Sequence, residues 1–196
     1  IKILFTGDLC PHGRIEDLAL NGRFEEVFND FIEEFRNNDL NVVDLECPLT
    51  EIKDGRPKTG PHQKAHPQTL GLLSHAGIGL ACMANNHIMD YGSRGAEQTI
   101  DLLEAAGIAT LGIGRNAAEA RNTFSMDIKG RRIAILNFAD NEFLTAPGSD
   151  VQCNPIHPVH NHEDIITAKK DHDFVILNVH GGNEFYHLPS PRTKAL

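Results

Sequence analysis

The chain has 196 residues, 40% of them hydrophobic and 23% charged, which supplies a full core and excludes a disordered chain. With 18 basic against 27 acidic residues the net charge is −9, which excludes general nucleic-acid binding through a positive field. No apolar run approaches the ~20 residues of a membrane span.

Residues 1–5 form a short apolar run that ends in Thr6-Gly7-Asp8, a strand entering a loop. Between residues 23 and 36, Phe24, Val27, Phe28, Phe31, Ile32 and Phe35 recur at helical spacing. The pattern predicts one helix with an apolar stripe, its Phe side chains in the core. Residues 41–45 read as a second strand, ending at Glu46. Residues 48–67 hold Gly55, Pro57, Gly60, Pro61 and Pro67, which break both patterns and predict a long loop of the kind that often carries function.

A near-repeat follows. Leu72-Leu73-Ser74-His75-Ala76-Gly77-Ile78 is echoed by Leu102-Leu103-Glu104-Ala105-Ala106-Gly107-Ile108. Each copy reads as a helix end, a glycine just past it, and the start of a strand. The spacing is that of one βαβ unit and predicts parallel sheet. The strands would be residues 78–84 and 108–111. The helix between them would span 93–106, with Ala96, Ile100, Leu103 and Ala106 on its buried side. Residues 124–138 read as a hairpin turning at Lys129-Gly130-Arg131. Residues 139–160 read as irregular, residues 163–170 as a short helix, and residues 173–179 as a strand ending at His180. Alternating strands and helices indicate an α/β domain with a mostly parallel sheet.

The chemistry gathers at the predicted strand ends. Asp8 follows the first strand, Glu46 the second, Asn85-Asn86-His87 the third and His180 the last. Open α/β sheets bind ligands just beyond the carboxyl ends of their strands. Carboxylate, amide and imidazole donors delivered there suit a divalent cation such as Mn, Zn, Fe or Mg. Taken singly, each residue has an ordinary structural explanation; their coincidence at four strand ends is what points to a shared site. In Asn86-His87-Ile88-Met89-Asp90-Tyr91-Gly92, His87 would lie beside a metal and give a proton to a leaving oxygen. Asp90 would either orient that imidazole or cap the helix that begins near Ser93. Arg14 and Lys64 are candidates to meet an anionic substrate, or ordinary solvated charges.

Eleven histidines fit metal or acid–base chemistry, although His157, His160 and His162 lie in a Pro-rich stretch and read as surface residues. Gly112-Ile113-Gly114-Arg115-Asn116-Ala117 matches a dinucleotide fingerprint in its glycines. It lacks the acidic residue expected about 20 positions on, so a glycine turn is the better reading. Cys10, Cys47, Cys82 and Cys153 form no C-x-x-C pair and read as free thiols.

These residues resemble the bacterial capsule-synthesis protein A family, linked to poly-γ-glutamate capsules and part of the calcineurin-like metallophosphatase superfamily. The resemblance is carried by Gly7-Asp8 with Gly13-Arg14, Leu45-Glu46 with Pro48-Leu49-Thr50, and Ala84-Asn85-Asn86-His87 with Asp90-Tyr91-Gly92. It continues through Thr99, Ala106-Gly107-Ile108, Gly112-Ile113-Gly114, His180 with Gly182 and Glu184, and Pro189-Ser190-Pro191. It implies a four-layer α/β/β/α sandwich over residues 1–196 with a two-metal centre. Asp8 would bind one divalent ion, Glu46 would bridge, Asn86 and His180 would bind the second, and His87 would be catalytic. Ions about 3.5–4 Å apart would activate water and hold a phosphate oxygen. Glu184, with Arg14 and Lys64, is an expected substrate contact.

The sequence departs from that pattern at several positions. Asp44 stands where the family usually has Asn, Cys47 where Gly is common, and Gly181 where Trp is usual. Cys10 takes the place of the histidine in the superfamily's D-x-H motif. The family's late glycine–histidine motif is not reached by Leu196, so the domain is expected to be truncated before it.

The expected function is a metal-dependent phosphoesterase of capsule or cell-surface polymer synthesis. Its expected substrate is an anionic polymer or phosphoester, and its expected partners are the capsule-synthesis machinery, in the envelope or cytoplasm of a bacterium. The alternative is a non-catalytic binding or assembly component on the same fold, which the Cys10 substitution favours.

Overall fold

Four strands with two buried faces account for the centre of the protein. In the computed structural model, which describes residues 1–144, 149–182, 185–189 and 191–194, β1 (Ile3–Leu9), β2 (Leu40–Leu45), β3 (Leu80–Cys82) and β4 (Ala109–Leu111) lie side by side in chain order, all parallel. The alternation of side chains along a strand gives this sheet two different apolar faces. Val43, Leu45, Ala81 and Met83 face one way, toward α1 (Arg14–Leu20), α3 (Ile32–Phe35), α4 (Leu70–His75) and α5 (Gly92–Ala105). Leu40, Val42, Leu80, Cys82 and Leu111 face the other way and meet Ile128, Ile133 and Ile135 of a second sheet.

That second sheet has the order β6 (Phe124–Ile128), β7 (Arg131–Ala139), β9 (Phe174–His180), antiparallel and then parallel. Its outer face, Ala134, Leu136 and Phe138, packs against Ala168 and Ile165 of α7 (Pro158–Asp171). The layers are therefore α/β/β/α. A two-stranded ribbon, β5 (Ile113–Gly114) against β8 (Gln152–Cys153), lies beside α6 (Ala117–Ala120).

The two copies of the near-repeat end their helices identically. Gly77 and Gly107 adopt positive φ of 62° and 74°. The amides of Ile78 and Ile108 each return 2.9 Å to the carbonyls of Leu73 and Leu103. This is the left-handed cap that glycine permits and that turns a helix into the next strand. Lys129 and Gly130, both at positive φ, make the tight turn that suits the twist of the β6–β7 hairpin.

Some expectations need correction. Residues 23–36 are not one helix: α2 (Phe24–Phe28) stops at Asn29, which takes φ 49°, and the chain passes through a 3-10 turn before α3. Phe31 is consequently 54% exposed rather than in the core. Strand β1 runs on through Thr6-Gly7-Asp8, with an irregularity in its pairing between Phe5 and Asp8. Ala106 caps α5 and is exposed. The stretch 139–160 contains β8, and α7 begins at Pro158, five residues before the expected start, because His157 caps it by accepting from the His160 amide at 3.2 Å. No helix among the described residues is long and apolar enough to cross a membrane.

Candidate metal centre and its histidine–aspartate pair

The same alternation that packs the two sheets decides what meets at their carboxyl end. Asp44 continues the inner face of β2 after Leu40 and Val42, and Asn178 and His180 continue that of β9 after Ile176. Apolar side chains give way to polar ones where the strands run out. Asn178 Nδ2 donates to Asp44 Oδ2 at 3.2 Å across the sandwich. Asn137 of β7 accepts from the Ala84 amide at 2.7 Å and donates to the Asn178 carbonyl at 3.2 Å, so the sheets are tied together just behind the site.

His180 is the hub. Its Nδ1 lies 3.5 Å from Asp8 Oδ1 and 3.7 Å from Asp44 Oδ2, and its Nε2 lies 3.6 Å from Glu46 Oε1 and 3.2 Å from Asn86 Oδ1. One ligand atom each from Asp8, Glu46 and His180 falls within 4.8 Å of the others. Burial alone would lower the pKa of His180, but the carboxylates of Asp44 and Asp8 outweigh it and raise it to about 10. The imidazolium in turn holds Asp8 below its ordinary value. Glu46 is pushed up by burial, with His180 acting against the shift. Converging carboxylates, an amide oxygen and an imidazole at one edge are donors that fit a hard or borderline divalent cation.

Beside this cluster the Asn85-Asn86-His87 turn is shaped from below. Asn85, fully buried, donates through Nδ2 to Asp44 Oδ1 at 3.0 Å and to the Leu45 carbonyl at 2.9 Å. Its Oδ1 accepts from the amides of His87 and Ile88 at 3.2 and 2.9 Å. Asn86 is thereby turned toward His180 and His87 toward Asp90, whose Oδ2 lies 2.7 Å from His87 Nδ1. A contact that short between an imidazole nitrogen and a carboxylate places a proton on Nδ1 and leaves Nε2 on the side of the ring away from Asp90. Asp90 does not cap α5: the capping position is Tyr91, with no side-chain bond.

Asp90 has two further partners that sequence reasoning did not find. Lys58 Nζ bonds Asp90 Oδ1, and the Gln63 amide donates to Oδ2 at 2.7 Å. Burial alone would raise the pKa of Asp90, but bonds from His87, Lys58 and Gln63 outweigh it and hold it low. A loop lysine carries no periodic signal; the only clue was the length of the loop.

The candidate substrate contacts are dispersed. Arg14 is exposed at the first residue of α1. Lys64 gives its ammonium to the Ile52 carbonyl and lies 4.8 Å over the Tyr91 ring. Glu184 lies outside the described residues. His157, His160 and His162 are exposed at the start of α7, and none of them belongs to the Asp8–Glu46–His180 group. Cys10 turns its thiol to Gln63 Oε1 at 3.8 Å. All four thiols are free. Burial pushes Cys153 up to about 12, and a bond with Cys10, reinforced by burial, pushes Cys47 up as well.

A four-layer sandwich with acidic, amide and imidazole side chains converging at the carboxyl ends of its strands is a metallophosphatase-like fold. A crystal structure of a Staphylococcus aureus protein described as a candidate 5′-nucleotidase shares it, with a TM-score of 0.53 at 12% identity over 93% of this chain and 37% of that one. The chain belongs to the bacterial capsule synthesis protein family PGA_cap, whose model matches residues 2–196. The capsule biosynthesis protein CapA of Bacillus anthracis is 28% identical over all of this chain and 50% of its own length. The PGA biosynthesis protein CapA of Bacillus subtilis is 25% identical over 98% of this chain and 52% of its own. The chain thus spans about half the length of these curated relatives.

Proposed function

We propose that the chain carries the metal-dependent phosphoesterase site of a protein of capsule or cell-surface polymer synthesis. Asp8, Glu46, Asn86 and His180 would hold a pair of divalent cations. The observation that carries this reading is the convergence of Asp8, Glu46 and His180 within 4.8 Å, with Asn86 Oδ1 3.2 Å from the imidazole. Bound cations supply Lewis-acid charge and a water of lowered pKa. The protein's own part begins with Asp44 and Asn85, which fix the floor and set the direction of Asn86 and His87. His87, in its doubly protonated form, presents Nε2–H to the substrate and delivers that proton to the leaving oxygen, while Asp90 holds the ring by its Nδ1–H and favours the charged form. The substrate is a phosphoester or an anionic surface polymer, and the partners are the capsule-synthesis machinery.

The test is metal content and hydrolysis of p-nitrophenyl phosphate by the manganese- or zinc-loaded protein. His87→Ala should lower turnover by about 10²–10⁴-fold and keep its metal, whereas Glu46→Ala and His180→Ala should lose metal. Failure to bind either ion would overturn the reading. The position of Cys10, turned to Gln63 rather than to the ligand cluster, favours a second reading, a non-catalytic assembly component. On that reading, His87→Ala and Glu46→Ala proteins would still support capsule formation in cells.

A further inference from the structure

We infer that Lys58 is the positioning residue of the His87–Asp90 pair: its buried ammonium pins the Asp90 carboxylate so that only one oxygen faces the imidazole. The inference rests on the phosphoesterase reading for its catalytic consequence, but not for its geometry.

The side chain of Lys58 is only 2% exposed, and that of Asp90 is fully buried. A buried lysine is costly unless paired, so this one is held for a reason local to the pair. Its Nζ bonds Oδ1 of Asp90 and lies 3.3 Å from His87 Nδ1. Both nitrogens carry hydrogen when Nδ1–H donates a hydrogen bond to Asp90, so the Lys58–His87 approach is a packing contact between two donors that share one acceptor group. The carboxylate is divided between them. Oδ1 serves Lys58; Oδ2 serves His87 Nδ1 and the Gln63 amide, both at 2.7 Å. Rotation of the carboxylate would strand one of these partners in a buried site, at a cost of about 1–3 kcal/mol per unsatisfied group.

Two more contacts hold Lys58 in place. The Arg56 amide donates to the Asp90 carbonyl at 2.9 Å, which fixes the chain two residues before it. The ring of Phe143, whose centroid is 5.1 Å from Nζ, covers the ammonium, an arrangement favourable to a buried cation. The long loop after β2 and the segment after β7 therefore close over Asp90 from two directions. Lys58 does not face substrate; it acts through Asp90 on His87.

The experiment uses the whole chain labelled with ¹⁵N at histidine, with His87 assigned by its loss in His87→Gln. At about pH 8.5, above the ordinary imidazole range, wild-type His87 should show the single Nδ1–H tautomer. Lys58→Met frees Asp90 to turn and should give a mixture of tautomers; Lys58→Arg, which keeps a buried donor and charge, should restore the single form in large part. In the metal-loaded protein, Lys58→Met should lower kcat on p-nitrophenyl phosphate by about 10–100-fold, the usual cost of removing a supporting partner, with KM and metal content unchanged. A Lys58→Met protein whose His87 keeps the wild-type tautomer signature overturns the inference. If the wild-type protein hydrolyses nothing, the function proposed above fails, while the imidazole spectrum, which needs neither metal nor substrate, still decides the role of Lys58. Should Lys58→Met not fold, Lys58→Gln, one bond too short to reach Asp90, is read by the same spectrum.

Discussion

His87 Nδ1 and Asp90 Oδ2 lie 2.7 Å apart, three residues from each other in sequence, with Asp90 sealed from solvent. Because its partners hold Asp90 below its ordinary value, its ionised form stabilises the folded state. A depressed carboxylate contributes fully above its unfolded pKa and loses that contribution as pH falls through the folded one. The stability gap between wild type and Asp90→Asn should therefore be largest above about pH 5 and shrink as pH falls below the ordinary aspartate value of about 3.9. Urea unfolding of both proteins across that range checks it; a gap that widens in acid would contradict the assignment of a charged Asp90.

Asn85 satisfies four groups at once: Asp44 Oδ1, the Leu45 carbonyl, and the amides of His87 and Ile88. Asn85→Ala leaves buried groups without partners, at about 1–3 kcal/mol each. We expect a loss near the upper end of that range by chemical denaturation, together with weaker metal binding, because the turn carrying Asn86 loses its support. Unchanged stability would mean that water replaces the amide without penalty.

Gly112 and Gly130 separate two effects of one substitution. Both have positive φ, 79° and 75°. A methyl group at Gly112 would lie 2.2 Å from Asn137 Oδ1 and 2.7 Å from the Ala84 Cβ, whereas one at Gly130 would meet nothing within 4 Å. Gly130→Ala should cost about 1–2 kcal/mol, the backbone contribution alone. Gly112→Ala should cost that and a further 1–3 or so for overpacking. Thermal unfolding that ranks the two variants equally would show that Asn137 can move aside.

Metal addition should raise the melting temperature. An ion bound only by the folded protein adds about 2.7 kcal/mol at one hundred times its Kd. The shift should vanish with chelator and be absent in Glu46→Ala. A shift that persists in Glu46→Ala and His180→Ala would place the ion elsewhere.

The candidate site was legible where it depends on the ends of parallel strands. Asp8, Glu46, Asn86 and His180 could be marked because an apolar run of a few residues followed by a polar one is a pattern within the chain, as are the glycine caps at Gly77 and Gly107. The helix break at Asn29 was hidden because the apolar spacing runs straight through it. The start of α7 was hidden because a histidine does the capping and a proline follows. Asp44–Asn178 and Lys58–Asp90 join residues far apart in sequence, 134 and 32 positions respectively, and no local pattern announces such pairs. Lys64, the other lysine of the long loop's second half, is set against Ile52 and Tyr91 instead.

Asp8, Glu46 and Asn86 extend from one sheet, and His180 from the other. The width of the proposed cation site is therefore set by the thickness of the layer of Leu40, Val42, Leu80, Ile133 and Ile135 beneath it. A methylene added or removed in that layer works like a shim under one jaw of a vice: it alters the reach of the imidazole toward the carboxylates while leaving every ligand in the sequence untouched. On the metal-centre proposal, preference between a smaller and a larger ion would thus be changed from the greasy interior of the sandwich.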